Sequence, residues 1–189
     1  MNKKTSDKSS KSIKIPDGID VAIDGNKIKV SGPKGSIEKE FNDPRLSNIS
    51  TKKEGNDIII DSDSQSRNIK SMAGTIAAHI RNMISGVSSG YTYKMKIFTL
   101  HFPMTVSVKG REITIKNFIG EKTDRHTMVH GNASVDIAGD EITVSGASKE
   151  DVGQTCANIE KACKLTKRDR RIFQDGIYLY KKEIAGGKK

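Results

Sequence analysis

The chain has 189 residues, enough for one ordinary domain or two small ones. It is 34% hydrophobic and 30% charged, without tryptophan, so it can build lean cores; no apolar run reaches the ~20 residues of a membrane span. The opening "MNKKTSDKSSKS" lacks the apolar centre of a secretion signal, and two isolated cysteines fit a reducing compartment, so a cytoplasmic protein is expected. The net charge of +10 is unevenly placed. Residues 1–14 carry five lysines and one aspartate, or +4; residues 164–189 carry nine basic and three acidic residues, or +6. The segment between them sums to zero. A neutral middle with basic extremities suits a scaffold whose ends meet a polyanion.

In chain order, residues 1–14 are expected to be a disordered basic tail, because lysine and serine bury too little to offset ordering entropy. Val21, Ile23, Ile28 and Val30 alternate around "DGN", with Gly25 at the turn, which predicts a β-hairpin. "NDIII" (56–60) predicts a strand paired with residues 48–52 across "KEGN". Ile69, Met72, Ala73, Ile76, Ala77, Ile80, Met83 and Ile84 then recur at helical spacing over 68–84, with Ser66 or a nearby aspartate as cap and Gly86 as stop.

The pattern begins again. "VSVKGREITIKNFIGEK" (106–122) repeats the first hairpin, and "VDIAGDEITVSG" (135–146) the second. A capping signal at Ser148–Asp151 opens a helix with Val152, Cys156, Ile159 and Cys163 on one stripe. Hairpin, hairpin, helix thus occurs twice, and "V-x-I-x-G-x-x-I-x-V-S-G" occurs at both 21–32 and 135–146. This predicts an α+β chain of two duplicated small domains, each an antiparallel sheet with a helix on one face. The expected boundaries are 15–90 and 91–189, joined near "SSGYTYK".

Several candidate sites fail on chemistry. "SGPKGS" (31–36) is too short for a phosphate loop that opens a helix, and it leaves a strand where a KH loop would join two helices. A tight turn presenting Lys34 remains. His126 and His130 lie four apart without the further ligands zinc needs, and Cys156 and Cys163 read as core. No serine sits in a nucleophile elbow. No catalytic residue, metal or cofactor is nominated. Tyr91, Tyr93, Met95 and Ile97 alternate as one strand face, with Lys94 and Lys96 on the other, and "GEKTDRH" (120–126) has surface-loop composition.

The densest signal is "KLTKRDRRIFQDGIYLYKK", residues 164–182. Lys164, Lys167, Arg168, Arg170 and Arg171 put five basic residues in eight positions. A solvated helix end explains Lys164 and Lys167. It does not explain three arginines beyond that end, whose planar forks pair with phosphate and stack on bases. Asp169 and Asp175 are expected to orient them, and "DGIY" to give a turn and a short strand, with Lys181 and Lys182 beyond.

"VGQTCANIEKACKLTKRDRRIFQDGIYLYKK" (152–182) resembles the archaeal and eukaryotic branch of the large-subunit ribosomal protein family numbered six. "IPDGIDVAIDGNKIKVSGPKG" (15–35), "YKMKIFTLHFP" (93–103) and "KNFIGEK" (116–122) are similar to the same family in the same order, so the resemblance spans residues 13–182. It implies a non-catalytic constituent of the large ribosomal subunit that binds its ribosomal RNA mainly through the second domain. It places that domain beneath the stalk base, near the sarcin–ricin loop where translation factors dock, beside neighbouring ribosomal proteins. Neither a membrane nor a small-molecule substrate is implied. Lys164, Lys167, Arg168, Arg170, Arg171, Lys181 and Lys182 would face RNA, with Lys122 and Lys96 as helpers. The lysine-rich residues 1–12 fall outside the family's shared pattern. A free-standing basic RNA chaperone or regulator would share the basic ends, but would bind unrelated RNAs without preference.

Overall fold

A computed structural model of the chain describes residues 9–42, 49–62, 66–166 and 168–184. The chain divides into two compact units, Met1–Ser88 and Ser89–Lys189.

In the first unit, β1 (Ser9–Lys14), β5 (Ile49–Glu54) and β6 (Asp57–Ser62) form one antiparallel sheet in the order β1-β6-β5. β2 (Asp20–Asp24), β3 (Lys27–Gly32) and β4 (Gly35–Glu40) form another, in the order β2-β3-β4. Alternation decides which faces meet: Val21, Ile28, Val30, Ile58 and Ile60 all point inward and are buried. Helix α1 (Arg67–Ser88) covers them with Ala73, Ile76, Ala77, Ile80, Met83, Ile84 and Val87. Each fully buried isoleucine or valine contributes about 1.5–3 kcal/mol relative to exposure.

Three expectations change here. Residues 9–14 are not a disordered tail: they pair with β6, and Ile13 enters the core. One buried isoleucine and a full ladder of backbone partners order a stretch whose composition alone reads as solvated. Residues 1–8 of that expected tail lie outside the described residues. Gly86 does not stop α1: it is buried inside the helix, which runs on to Ser88. Gly90, at φ +86°, supplies the left-handed backbone that follows. The strands of each unit also divide between two antiparallel sheets, not one.

The second unit repeats this plan. β8 (Thr105–Lys109), β9 (Glu112–Lys116) and β10 (Arg125–Met128) form a sheet in the order β10-β9-β8. β7 (Tyr91–Phe98), β11 (Ser134–Ala138), β12 (Glu141–Gly146) and β13 (Gly176–Ile184) form a second, ordered β11-β12-β7-β13. Helix α2 (Lys149–Ala162) starts at Ser148, whose hydroxyl accepts from the Asp151 amide at 3.2 Å. Val152, Thr155, Cys156 and Ile159 face the core, and Thr155 satisfies its buried hydroxyl by accepting from the His130 amide at 3.0 Å. Burial pushes the thiols of Cys156 and Cys163 up to about 12, so both stay protonated and inert in the core.

Two glycines test the packing in opposite directions. A methyl group on Gly32 would meet the Val87 carbonyl oxygen at 2.9 Å, where the end of α1 also accepts from the Lys34 amide. Gly32→Ala should therefore lower stability by about 1–3 kcal/mol. Gly153 lies inside α2 with room for a methyl group, the nearest atom being a Tyr93 ring carbon at 4.0 Å. Gly153→Ala should raise stability by about 0.5–1 kcal/mol. Urea denaturation of the two variants beside the wild type checks both signs.

Candidate nucleic-acid interface

The basic segment leaves the C-terminal end of α2 and runs to the start of β13. Helix ends expose carbonyl groups that need donors. Arg125, on β10, supplies them here: its guanidinium donates to the carbonyls of Ala162 at 2.7 Å and Lys164 at 3.2 Å. The same guanidinium pairs with both Glu121 carboxylate oxygens, at 2.8 and 2.6 Å, and lies 4.3 Å from the centre of the Phe118 ring. This bidentate bond holds the Glu121 carboxyl below its ordinary range, with Arg168 adding to the effect. One arginine thus joins β10, the turn at 118–120 and the start of the basic segment.

That turn is conformationally costly. Asn117 and Ile119 adopt left-handed backbone at φ 57° and 53°, a region a β-branched residue avoids. Phe118 and Ile119 are buried by it, and the Asn117 side-chain Nδ2 donates to the Pro103 carbonyl at 2.8 Å. The strain sits beneath the site and presents Phe118 to Arg125.

The far end of the segment is fixed by Asp175, which is 2% exposed. One carboxylate oxygen accepts from the amides of Leu100 and His101 at 2.7 and 2.9 Å; the other lies 2.6 Å from His101 Nδ1. Burial alone would raise its pKa, but the bonds from His101 and Leu100 outweigh burial and lower it to about 2. Between the clamps the chain turns tightly, with the amides of Ile172 and Phe173 donating to the Asp169 carbonyl. The Asp169 carboxylate accepts from the Arg171 amide at 2.9 Å. Phe173 carries His101 on its ring at a centroid distance of 4.9 Å and the Arg168 guanidinium at 4.8 Å.

The expected site residues divide accordingly. Lys164, Arg168, Arg170 and Arg171 are exposed on this clamped segment. Lys122 is exposed next to Glu121, whose carboxyl feels the charge of Arg168. Lys167 lies outside the described residues. Lys181 and Lys182 stand on opposite faces of β13, which is a nine-residue strand and not the short one expected. Lys182 pairs in register with Tyr93 and lies over its ring at 5.6 Å, on the helix side. Lys181 pairs with Lys94 on the outer face, beside the exposed Lys96. The aspartates act on the backbone: Asp175 touches Leu100 and His101, and Asp169 caps a turn. Neither contacts an arginine side chain in the way expected. Arg125, Glu121 and His101 carry the geometry, yet "GEKTDRH" reads as surface-loop composition and nothing in the local sequence singles out His101.

Among the described residues, no group of three or more histidine, cysteine, aspartate or glutamate side chains is placed to hold a metal ion. Exposed arginines on a loop braced at both ends give this duplicated α+β chain a surface suited to an anionic partner. The family model described as ribosomal protein L6 matches residues 15–90 and 102–176. Large ribosomal subunit protein uL6 of Sulfurisphaera tokodaii is 49% identical over 92% of this chain and 92% of its own length. Its counterpart in Staphylothermus marinus is 50% identical over 89% and 91%, and that in Methanosarcina mazei 43% over 92% and 97%. The chain belongs to the ribosomal protein L6 family, whose members are structural components of the ribosome and not enzymes.

The Asp175 clamp has a pH signature. A carboxylate with a folded pKa of about 2 adds stability that is complete above its unfolded pKa of about 3.9. That stability disappears as pH falls through the folded value. The stability gap between wild type and Asp175→Asn should therefore shrink by about 2 kcal/mol between pH 5 and pH 2. Urea titrations across that range measure it; a gap independent of pH would contradict the assignment.

Proposed function

We propose that the protein is held in the large ribosomal subunit by contacts of its second unit with the subunit's ribosomal RNA. Lys164, Lys167, Arg168, Arg170 and Arg171 form the principal contact, with Lys122 beside them and Lys181, Lys182 and Lys96 on the adjoining strands. The observation that supports this most strongly is the set of three exposed arginines on a segment clamped by Arg125 at one end and Asp175 at the other. Folding gives no reason to expose three guanidinium groups on a braced loop, whereas a phosphate backbone does. Bracing before binding limits the entropy lost on association.

The resemblance supports a finer placement: beneath the stalk base, near the sarcin–ricin loop, with neighbouring ribosomal proteins alongside. The role there is architectural. The protein contributes a folded, charged surface that holds RNA where translation factors act.

Replacing Arg168, Arg170 and Arg171 together by Gln tests the contact. Each lost phosphate partner should flatten the dependence of log K on log salt by ~0.7–0.9, so the triple variant should lose about two units of slope on a large-subunit RNA fragment. Stability should change little, since exposed substitutions usually stay within about 0.5 kcal/mol. Arg168 is the costliest of the three, because it stacks on Phe173. The charge-matched control is Lys29, Lys34 and Lys52 to Gln, three exposed lysines of the first unit. Equal loss of slope in both variants would assign binding to net charge and remove the site from 164–171.

A further inference from the structure

The four-stranded sheet of the second unit has one face against the core and one open to solvent. Tyr91, Tyr93, Met95 and Ile97 of β7 face the core, so Lys94, Lys96 and Phe98 face outward. The protein has nine aromatic residues in all, and three of them lie exposed on this open face: Phe98 at 43%, Tyr178 at 38% and Tyr180 at 54%. Burial does not explain them.

Two of these rings lie flat on the sheet. A methyl group placed on Gly176 would meet Tyr178 ring atoms and its hydroxyl at 3.0–3.1 Å, so the ring covers the glycine backbone. The Tyr178 hydroxyl donates to the Gln174 carbonyl at 3.1 Å and pins the ring there. Tyr180 donates to the Glu141 carboxylate. Glu141 is on β12, and β7 runs between β12 and β13. Spanning two interstrand gaps of ~4.8 Å requires the Tyr180 side chain to lie along the sheet, across β7. A break in register between Leu179 and Lys181 puts both Tyr180 and Lys181 on this face, where regular alternation would separate them. The Leu179 amide, near the break, donates to Glu160 of α2 at 2.9 Å, which ties the irregularity to the helix.

We propose that this face is a base-stacking platform for unpaired nucleotides of RNA, with Tyr178 and Tyr180 as the stacking surfaces and Lys96, Lys94 and Lys181 as cationic neighbours. The proposal rests on the reading that the second unit binds RNA, and it adds a second contact of different chemistry. Rings held flat and outward offer their π faces at little entropic cost, and every base has a complementary face. The flanking lysines suit a polyanion: Lys96 has an open position beside Tyr178, its register partner. Lys94 is shared with Glu141 at 3.3 Å, and Lys181 with Glu183 at 2.6 Å. The platform also continues from the basic segment, because Tyr178 is tethered to Gln174 at that segment's end. Paired RNA hides its base faces and would be excluded.

The test uses the full-length chain with a fluorescent single-stranded RNA decamer and a blunt RNA duplex of the same length, followed by anisotropy across salt. Wild type should prefer the single strand. Tyr178→Leu with Tyr180→Leu keeps apolar bulk but removes the π faces, and should lower single-strand affinity about ten- to a hundredfold with the salt slope unchanged. The double Tyr→Phe variant keeps the faces, loses only the tethers and should fall between. Unchanged melting of the variants confirms the fold. Equal affinity of the double Leu variant and wild type for the single strand would overturn the proposal. So would a variant that binds RNA normally but loses attachment to the large subunit, since the face would then meet protein. The Arg168, Arg170 and Arg171 variant separates the two sites. If it keeps the full salt slope while the tyrosine effect persists, the basic-segment reading fails and the platform stands.

Discussion

A buried carboxylate holds the segment between α2 and β13 in place. Asp175 is inside the protein, charged, and satisfied by two backbone amides and a histidine ring of the loop that follows β7. A charge so placed tolerates no drift, because losing a partner would leave it unpaired in a poor solvent. The chain on either side inherits this rigidity. Upstream, Phe173 is set against His101, and Arg168 lies on Phe173. Downstream, Gly176 enters β13 in register with Phe98, and Tyr178 folds back over it. One interaction therefore fixes both the arginine-bearing loop and the first ring of the open sheet face.

Arg125 plays the matching part at the other end of the loop. It is a cation used for structure, not for display: its donors are spent on Glu121 and on the carbonyls that α2 leaves open. Arg170 and Arg171 are the opposite case, exposed on a braced backbone, while Arg168 is exposed but also lies over the Phe173 ring. Sorting basic residues by what their donors already hold separates the two roles better than counting charges does. The left-handed backbone at Asn117 and Ile119 belongs to the same arrangement, since it brings Phe118 under the Arg125 guanidinium. Strain of this kind persists where surrounding contacts over-determine it.

Much of this was legible in the sequence. Period-two alternation around Gly25, Gly110 and Gly139 marks the hairpins, and helical spacing marks α1 and α2, because burial on one face leaves a periodic trace. The duplication is legible for the same reason. β1 is not: "SSKSIK" has one apolar residue, and its order comes from backbone pairing with β6, which composition does not encode. The arginine cluster stands out by density. Its clamps do not, because "QDG" reads as a turn and "TDRH" as a loop until folding places Asp175 beside Leu100 and His101, and Arg125 beside Ala162. Those pairs are separated by more than thirty positions in the chain, and no local rule connects them. The alternation of "YLYKK" is visible, but the break in register that puts Tyr180 and Lys181 on one face is a tertiary result.

If the arginine loop meets RNA as proposed, its affinity depends on the loop being braced before binding. The affinity of Asp175→Asn for a large-subunit RNA fragment, measured across salt well below the variant's melting temperature, isolates this dependence. No phosphate-facing charge is removed, so the salt slope should match wild type, while affinity falls about tenfold or more at every salt concentration as the loop pays its ordering entropy on binding. Affinity equal to wild type, with the Asp175 contacts gone, would mean that bracing contributes nothing to RNA binding.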